Sequence, residues 1–190
     1  MRYTPEHKKA ARARLLETGG ALAKQNGFGV TGVDGFMAAV GLTSGAFYSH
    51  FRSKSELLKA IVESELSNSL ERLSVESNEQ LQGVLEAYLS IWHANNPAQG
   101  CALPTLSAEI GRADLDTRAS FEQSVLQIKD KFQAHLKDEN EAWAMLAQAV
   151  GAVTIARAMA TEASRKKIFD AVKTKVKEAI SHAEIPASTV

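Results

Sequence analysis

A single cysteine, Cys101, among 190 residues leaves no possibility of an intrachain disulfide, and it is compatible with a reducing compartment. No run approaches the roughly 18 consecutive apolar residues of a membrane span, and no apolar core of a signal peptide stands near the N-terminus. The chain is therefore expected to stay in the cytoplasm with no membrane partner. The five histidines are scattered, with no pair at metal spacing near a third ligand, so no zinc site is expected. There is no P-loop, dinucleotide fingerprint or nucleophile elbow, and lone serines and carboxylates form no constellation. Neither a cofactor nor an enzymatic activity is expected. β-Hairpin and βαβ signals are missing, and there is no internal repeat.

What is present is 45% apolar and 23% charged residues, the composition of a soluble globular protein. The length suits one ordinary domain plus a small one. The 22 basic and 22 acidic residues cancel, yet unevenly. Residues 1 to 60 carry nine Lys or Arg against four Asp or Glu, and the remainder 13 against 18. Attraction for phosphate thus belongs to one end of the chain, beside a neutral-to-acidic body.

The stretch from Thr31 to Leu58 organises that basic end. Thr31 and Asp34 form a capping-box-like start, followed at helical spacing by Val33, Phe36, Met37 and Val40. Gly41 stops the helix by supplying a left-handed turn residue. Thr43 then caps a second short helix through Ser49, in which Phe47 and Phe51 face inward one turn apart. Ser44, Gly45, Ala46, Tyr48, Ser49 and His50 remain on or near the outside. A helix, a glycine-containing turn and a second short helix form the helix-turn-helix arrangement, whose second helix can enter the DNA major groove. Small residues at 44 to 46 let the backbone approach base edges, while Tyr48, His50 and Lys54 can donate to phosphates, and Thr31 joins them as a candidate DNA contact.

The run Phe47, Tyr48, Ser49, His50, Phe51, Arg52, Ser53, Lys54, Ser55, Glu56, Leu57, Leu58, preceded by Ala38 to Thr43, resembles the DNA-binding signature of TetR-type transcriptional repressors. The resemblance covers about the first 60 residues. It implies backbone contacts from Tyr48, His50 and Lys54, with Thr43, Ser44, Gly45 and Ser49 nearest the bases. Many members carry a lysine where this chain has Ser44 and a threonine where it has Ala46.

Before this stretch, a polar arm with Arg2 leads into a helix from Pro5 to about Asn26, ending at Gly27. Arg2 is placed to enter the adjacent minor groove, and Lys8, Lys9, Arg12 and Arg14 either reach flanking phosphates or form a solvated face. After it, helices are expected from Lys54 to Leu73, Asn78 to Asn95, Leu103 to Gly111, Leu115 to Lys137, Glu141 to Glu162 and Arg165 to His182, with a frayed tail around Pro186. The Ala-rich segment Ala142 to Ala160 suits either plain core or half of a subunit interface. The family resemblance implies that the last two helices pair with their copies in a four-helix dimer interface.

The expected architecture is all-α: an N-terminal three-helix helix-turn-helix domain, residues 1 to 52, and a C-terminal helical bundle, residues 53 to 190, for ligand binding and dimerisation. The expected function is a dimeric transcriptional repressor that binds a palindromic double-stranded DNA operator and is released by a small-molecule or an electrophile or oxidant effector. Tyr88, Trp92, His93, Phe121 and Val125 are available to line an effector pocket, or to serve as core. Cys101, in the run GCALPTLSAEIG, reads either as a small buried hydrophobe or as a thiol activated near a helix start. That segment resembles one found in a subset of TetR-type repressors, some of which sense electrophiles or oxidants through a cysteine. A helical ligand-binding or scaffold protein without sequence-specific DNA binding is the rival reading.

Overall fold

The computed structural model describes residues 5–183, so Arg2 and the tail around Pro186 lie outside the described residues. In chain order the elements are α1 (Pro5–Asn26), α2 (Val33–Ala39), a 3-10 helix (Ser44–Ser49), α3 (Lys54–Arg72), α4 (Asn78–Tyr88), α5 (Ile91–Asn95), α6 (Leu103–Ile110), α7 (Leu115–Gln133), α8 (Glu139–Ala158) and α9 (Glu162–Ala183). No strand occurs among the described residues. The chain gathers into two compact units, Met1–Ser67 with Pro97–Ser124, and Asn68–Asn96 with Val125–Val190.

Most helix ends follow from local chemistry. Gly27 has a φ of 89° and Gly41 a φ of 71°, the left-handed backbone that lets a helix close. At Gly41 the closure is complete: its N–H donates to the Ala38 carbonyl (3.0 Å) and that of Leu42 to the Met37 carbonyl (2.9 Å). Ser53 starts α3 by accepting from the Glu56 N–H (3.1 Å), while the Glu56 carboxylate accepts from the Arg52 N–H (2.6 Å). Ser77 and Gln80 repeat this exchange at α4, and Asp138 and Glu141 at α8.

Several boundaries differ from expectation: the helix expected to reach Glu162 ends at Ala158, the one expected from Arg165 starts at Glu162, and two other differences have a visible cause. The helix expected from Asn78 to Asn95 breaks at Leu89 and Ser90, because the Ser90 hydroxyl accepts from the His93 N–H (3.1 Å) and starts α5 as a separate helix. The helix expected to reach Lys137 ends at Gln133, and Asp138 caps the next.

In the first unit, Leu15, Phe28, Phe36, Phe47, Phe51, Leu57 and Ile61 are buried around the packed helices α1, α2 and the 3-10 helix. The segment 97–124 is tied to the same core by long-range polar contacts. Buried Lys24 on α1 pairs with Glu65 on α3 (2.7 Å) and donates to the Gly100 carbonyl (3.0 Å). Removing one partner of a buried pair typically costs about 3–5 kcal/mol, since the other charge is left uncompensated. The Ser55 hydroxyl donates to Asp114, whose carboxylate also accepts from the Thr117 N–H (2.8 Å) to cap α7. Those donors, Ser55 foremost, hold the Asp114 carboxyl down at about 2. Ser120 reaches Glu63 on α3 (2.8 Å).

The second unit packs α8 with α9, α4 with α9, and α5 with both α8 and α9. Met145, Leu146, Val153, Phe169, Val176 and Ile180 fill it. Arg165 clasps the Met159 carbonyl (2.9 and 3.0 Å) and the Asn95 side chain (2.5 Å), fixing the α8–α9 corner to α5. The opposite face of α8 is open and mostly small or apolar. It carries Trp143, Ala147, Gly151, Ile155 and Ala158, with Trp143 38% and Ile155 51% exposed. A β-carbon on Gly151 would meet nothing within 4 Å.

Candidate nucleic-acid interface

The 3-10 helix Ser44–Ser49 is pinned from beneath. Phe47 and Phe51 are both buried, with ring centroids 5.9 Å apart, and the guanidinium of Arg12 lies 4.8 Å from the Phe51 ring centroid. The expected short helix exists, but it is wound as 3-10 over six residues, of which Ala46 alone is a strong helix former and Gly45 a weak one. Thr43 occupies its N-cap position, yet its side chain makes no capping bond. Its carbonyl instead accepts from the Ala46 N–H (3.0 Å).

The residues expected on or near the outside are exposed or half-buried. Thr43, Ser44, Gly45 and Ser49 are exposed, Ala46 is half-buried, and Tyr48 is 73% exposed with its ring edge-on to Phe47. Ser49 donates its hydroxyl to the Ala46 carbonyl (2.7 Å). Gly45 has no positive φ, and a β-carbon there would meet nothing within 4 Å, so neither backbone strain nor internal packing requires a glycine. Its missing side chain leaves the helix surface flat and open to close approach.

His50 closes the turn at its C-cap. Burial, then the charges of Lys8 and Arg12 on α1, push its pKa below the ordinary histidine value. Its Nδ1 is buried without a hydrogen-bond partner among the described residues. Two of the α1 cations, open between flanking phosphates and a solvated face, are exposed and also touch the fold, Arg12 on Phe51 and Arg14 through a bond to the Val40 carbonyl (3.1 Å).

Two other expected contacts have internal partners. The Thr31 capping box does not form: Gly32 is the N-cap of α2 with no side-chain bond, and the Thr31 hydroxyl donates backwards to the Gly27 carbonyl (3.0 Å). Lys54 donates to the Gly29 carbonyl (3.0 Å), with its ammonium 4.9 Å from the Phe28 ring centroid.

The geometry is that of a helix-turn-helix, and residues 15–61 match the sequence model of the tetR family of bacterial regulatory proteins. That match covers the helix-turn-helix end of the chain. Within residues 15–61 the chain has the helix-turn-helix region of those regulatory proteins. An uncharacterised HTH-type transcriptional regulator, YfiR of Bacillus subtilis, is 29% identical over 79 residues, 42% of this chain. The match spans 38% of that relative's length. Among solved structures, a TetR transcriptional regulator from Chloroflexus aurantiacus has a TM-score of 0.73 at 19% identity, covering 92% of this chain and 98% of its own. The reduced form of Escherichia coli NemR has a TM-score of 0.71 at 21% identity, covering 89% and 96%. These likenesses extend the TetR fold over the body.

The expected effector residues divide between the two compact units. In the second, buried His93 lies against half-buried Tyr88 with the rings tilted by 57° (centroids 4.5 Å apart), and its Nδ1 lies 2.7 Å from the Tyr88 carbonyl. Trp92 is 60% exposed, so it is not a core residue, and Val125 is half-buried. In the first unit, Cys101 and Phe121 are half-buried. Of the expected set, Tyr88 and His93 are the pair in ring contact. No cluster of three or more His, Cys, Asp or Glu side chains able to hold a metal occurs among the described residues. No helix among them is long and apolar enough to cross a membrane.

Proposed function

We propose that the chain is a dimeric transcriptional repressor that reads a palindromic operator with the exposed face of Ser44–Ser49. The observation that carries this reading is a recognition helix with two buried phenylalanines beneath and Gly45, Tyr48 and Ser49 exposed above. Its surface is shaped for an external partner and serves no internal contact at Gly45. Residues 1–52 form the DNA-binding part in this reading, and residues 53–190 the part that dimerises and takes an effector. The open face of α8, with Trp143, Gly151 and Ile155, supports pairing with a second copy, and a two-fold dimer presents two recognition helices to successive half-sites.

The effector acts by preferring one of two body conformations, with α3 as the continuous connection to the head. Operator and effector then weaken each other by the same factor. A thiol effect at Cys101 is the second route, supported by likeness to a relative solved in a form described as reduced. Cys101 directly follows the Gly100 carbonyl that Lys24 holds.

The test is selection of fragments from the source genome by the purified chain, then footprinting at physiological salt. A protected palindrome is expected. Tyr48→Ala is expected to weaken binding by about tenfold without unfolding, because its side chain is exposed. Uniform, salt-sensitive affinity for every duplex, unchanged in Tyr48→Ala, would overturn the reading. For the thiol route, Cys101→Ser should keep its hold on the fragment in hydrogen peroxide, and release equal to that of the unsubstituted chain would exclude it.

A further inference from the structure

The turn between α1 and α2 is gripped by a residue about eighty positions away in sequence. Glu109 on α6 accepts from the Phe28 N–H through Oε1 (2.9 Å) and from the Gly29 N–H through Oε2 (2.5 Å). One carboxylate spanning two successive backbone donors is a charge-assisted fork, stronger and more directional than a single neutral bond. The turn is shaped to admit it. A β-carbon on Gly27 would stand 3.1 Å from Oε1, and one on Gly29 3.2 Å from Oε2, both tighter than ordinary contact.

The other sides of the turn are also held. Lys54 donates to the Gly29 carbonyl and covers the Phe28 ring, and Thr31 donates to the Gly27 carbonyl. Phe28 is buried against Phe36 of α2 (centroids 5.1 Å apart), and α2 packs on the 3-10 helix. A continuous path of contacts therefore leads from Glu109 through Phe28 and α2 to the recognition surface. The Lys24 ion pair fixes the same segment 97–124 from α1, but it bonds Glu65 and Gly100 instead of this turn.

We propose that Glu109 is a positioning residue for DNA recognition, setting the α1–α2 turn and coupling the state of α6 to the recognition helix. This rests on the DNA-binding reading above and names where that reading is regulated. Any change that displaces α6 withdraws the carboxylate, frees the Phe28 and Gly29 amides and loosens α2. Conversely, DNA that holds the head rigid must also hold α6, because coupling between two sites is reciprocal.

The test compares the full chain with Glu109→Gln and Gly29→Ala by hydrogen exchange, alone and with the selected duplex. Glutamine offers one acceptor and turns an NH2 group toward the second donor. The added methyl of Gly29→Ala pushes the carboxylate away while leaving α6 unaltered, so its result stands whether or not Glu109→Gln folds. Without DNA, the Phe28 and Gly29 amides should exchange about tenfold faster in both variants. With DNA, the unsubstituted chain should gain protection both in the 3-10 helix and in residues 103–110. The variants should gain it only in the 3-10 helix.

A merely structural role would lower Tm and leave DNA-dependent protection of α6 intact. Equal protection of α6 in all three proteins, or none in the unsubstituted complex, overturns the coupling while the DNA-binding reading survives. Failure of the unsubstituted chain to prefer its selected duplex over a scrambled one overturns that reading itself, and the coupling with it.

Discussion

At the scale of single residues, His50 connects the sequence to a measurable pH effect. In the free chain its burial and the nearby Lys8 and Arg12 lower its pKa from 6.5, so the ring is neutral at physiological pH. A DNA phosphate arriving beside it favours the protonated form, and the complex then binds more protons than its separated parts. Operator affinity is therefore expected to rise as pH falls from about 7.5 to 6, with a slope of up to roughly one proton per protomer. A fluorescence titration of the selected duplex across that range checks it, and His50→Gln should flatten the slope. For folding the sign is opposite. A histidine with a lowered native pKa contributes stability that is complete above 6.5 and lost as pH falls below it.

Residue roles were legible where spacing decides them. Phe47 and Phe51, four apart, had to share a face, and both are buried with Tyr48 outside. Lys24 was not legible. On the α1 sequence it is one more cation, and its burial follows from Glu65 and the Gly100 carbonyl, 41 and 76 residues away. Trp92 misled in the other direction, since a large apolar side chain says nothing by itself about which helix face it occupies.

At the scale of elements, local chemistry carried most of the information. The span of α1 from Pro5 to Asn26 follows from proline at its start and glycine after its end. The start signals were easier to misplace. Thr31 and Asp34 have the capping spacing and do not cap, whereas Ser53 with Glu56, Ser77 with Gln80 and Asp138 with Glu141 all do. The difference lies in the residue that finally takes the extended N-cap backbone, which at α2 is Gly32. Ser90 was missed for a related reason: helical periodicity runs straight through it, and only the hydroxyl bond to the His93 N–H marks the break.

Gly41 gives the sharpest prediction at this scale. Its φ of 71° places any β-carbon against the following carbonyl, although the space around it is open. Gly41→Ala is expected to cost about 1–2 kcal/mol. Thermal unfolding should show this as a fall in Tm of roughly 2–8 °C. An unchanged Tm would mean that the turn relaxes into another conformation.

At the scale of the whole molecule, the open α8 face should decide assembly. Ile155→Glu places a charge on an exposed position, so the fold should tolerate it. A two-fold interface repeats the substitution on both sides, and the dimer dissociation constant should rise by roughly a hundredfold. Sedimentation velocity over a concentration series reads this directly. Unaltered association would move the interface to another surface.

Compactness at this scale was the least legible property. A linear reading divides the chain where the DNA-binding signature stops, yet residues 97–124 gather with 1–67 through Lys24, Glu63, Ser55 and Glu109. Those pairings join residues from 57 to 81 positions apart, beyond the reach of any helical or capping rule.

That gathering has an evolutionary side. Under the proposed function, operator and effector specificity are not expected to pass between relatives by recombining at one crossover after the 3-10 helix. A hybrid joined there inherits a foreign partner for the Phe28 and Gly29 amides and for the buried Lys24. Successful shuffling must carry two separated stretches together, or keep a glutamate at 109 and a chain carbonyl at 100 as a shared socket into which different heads can fit.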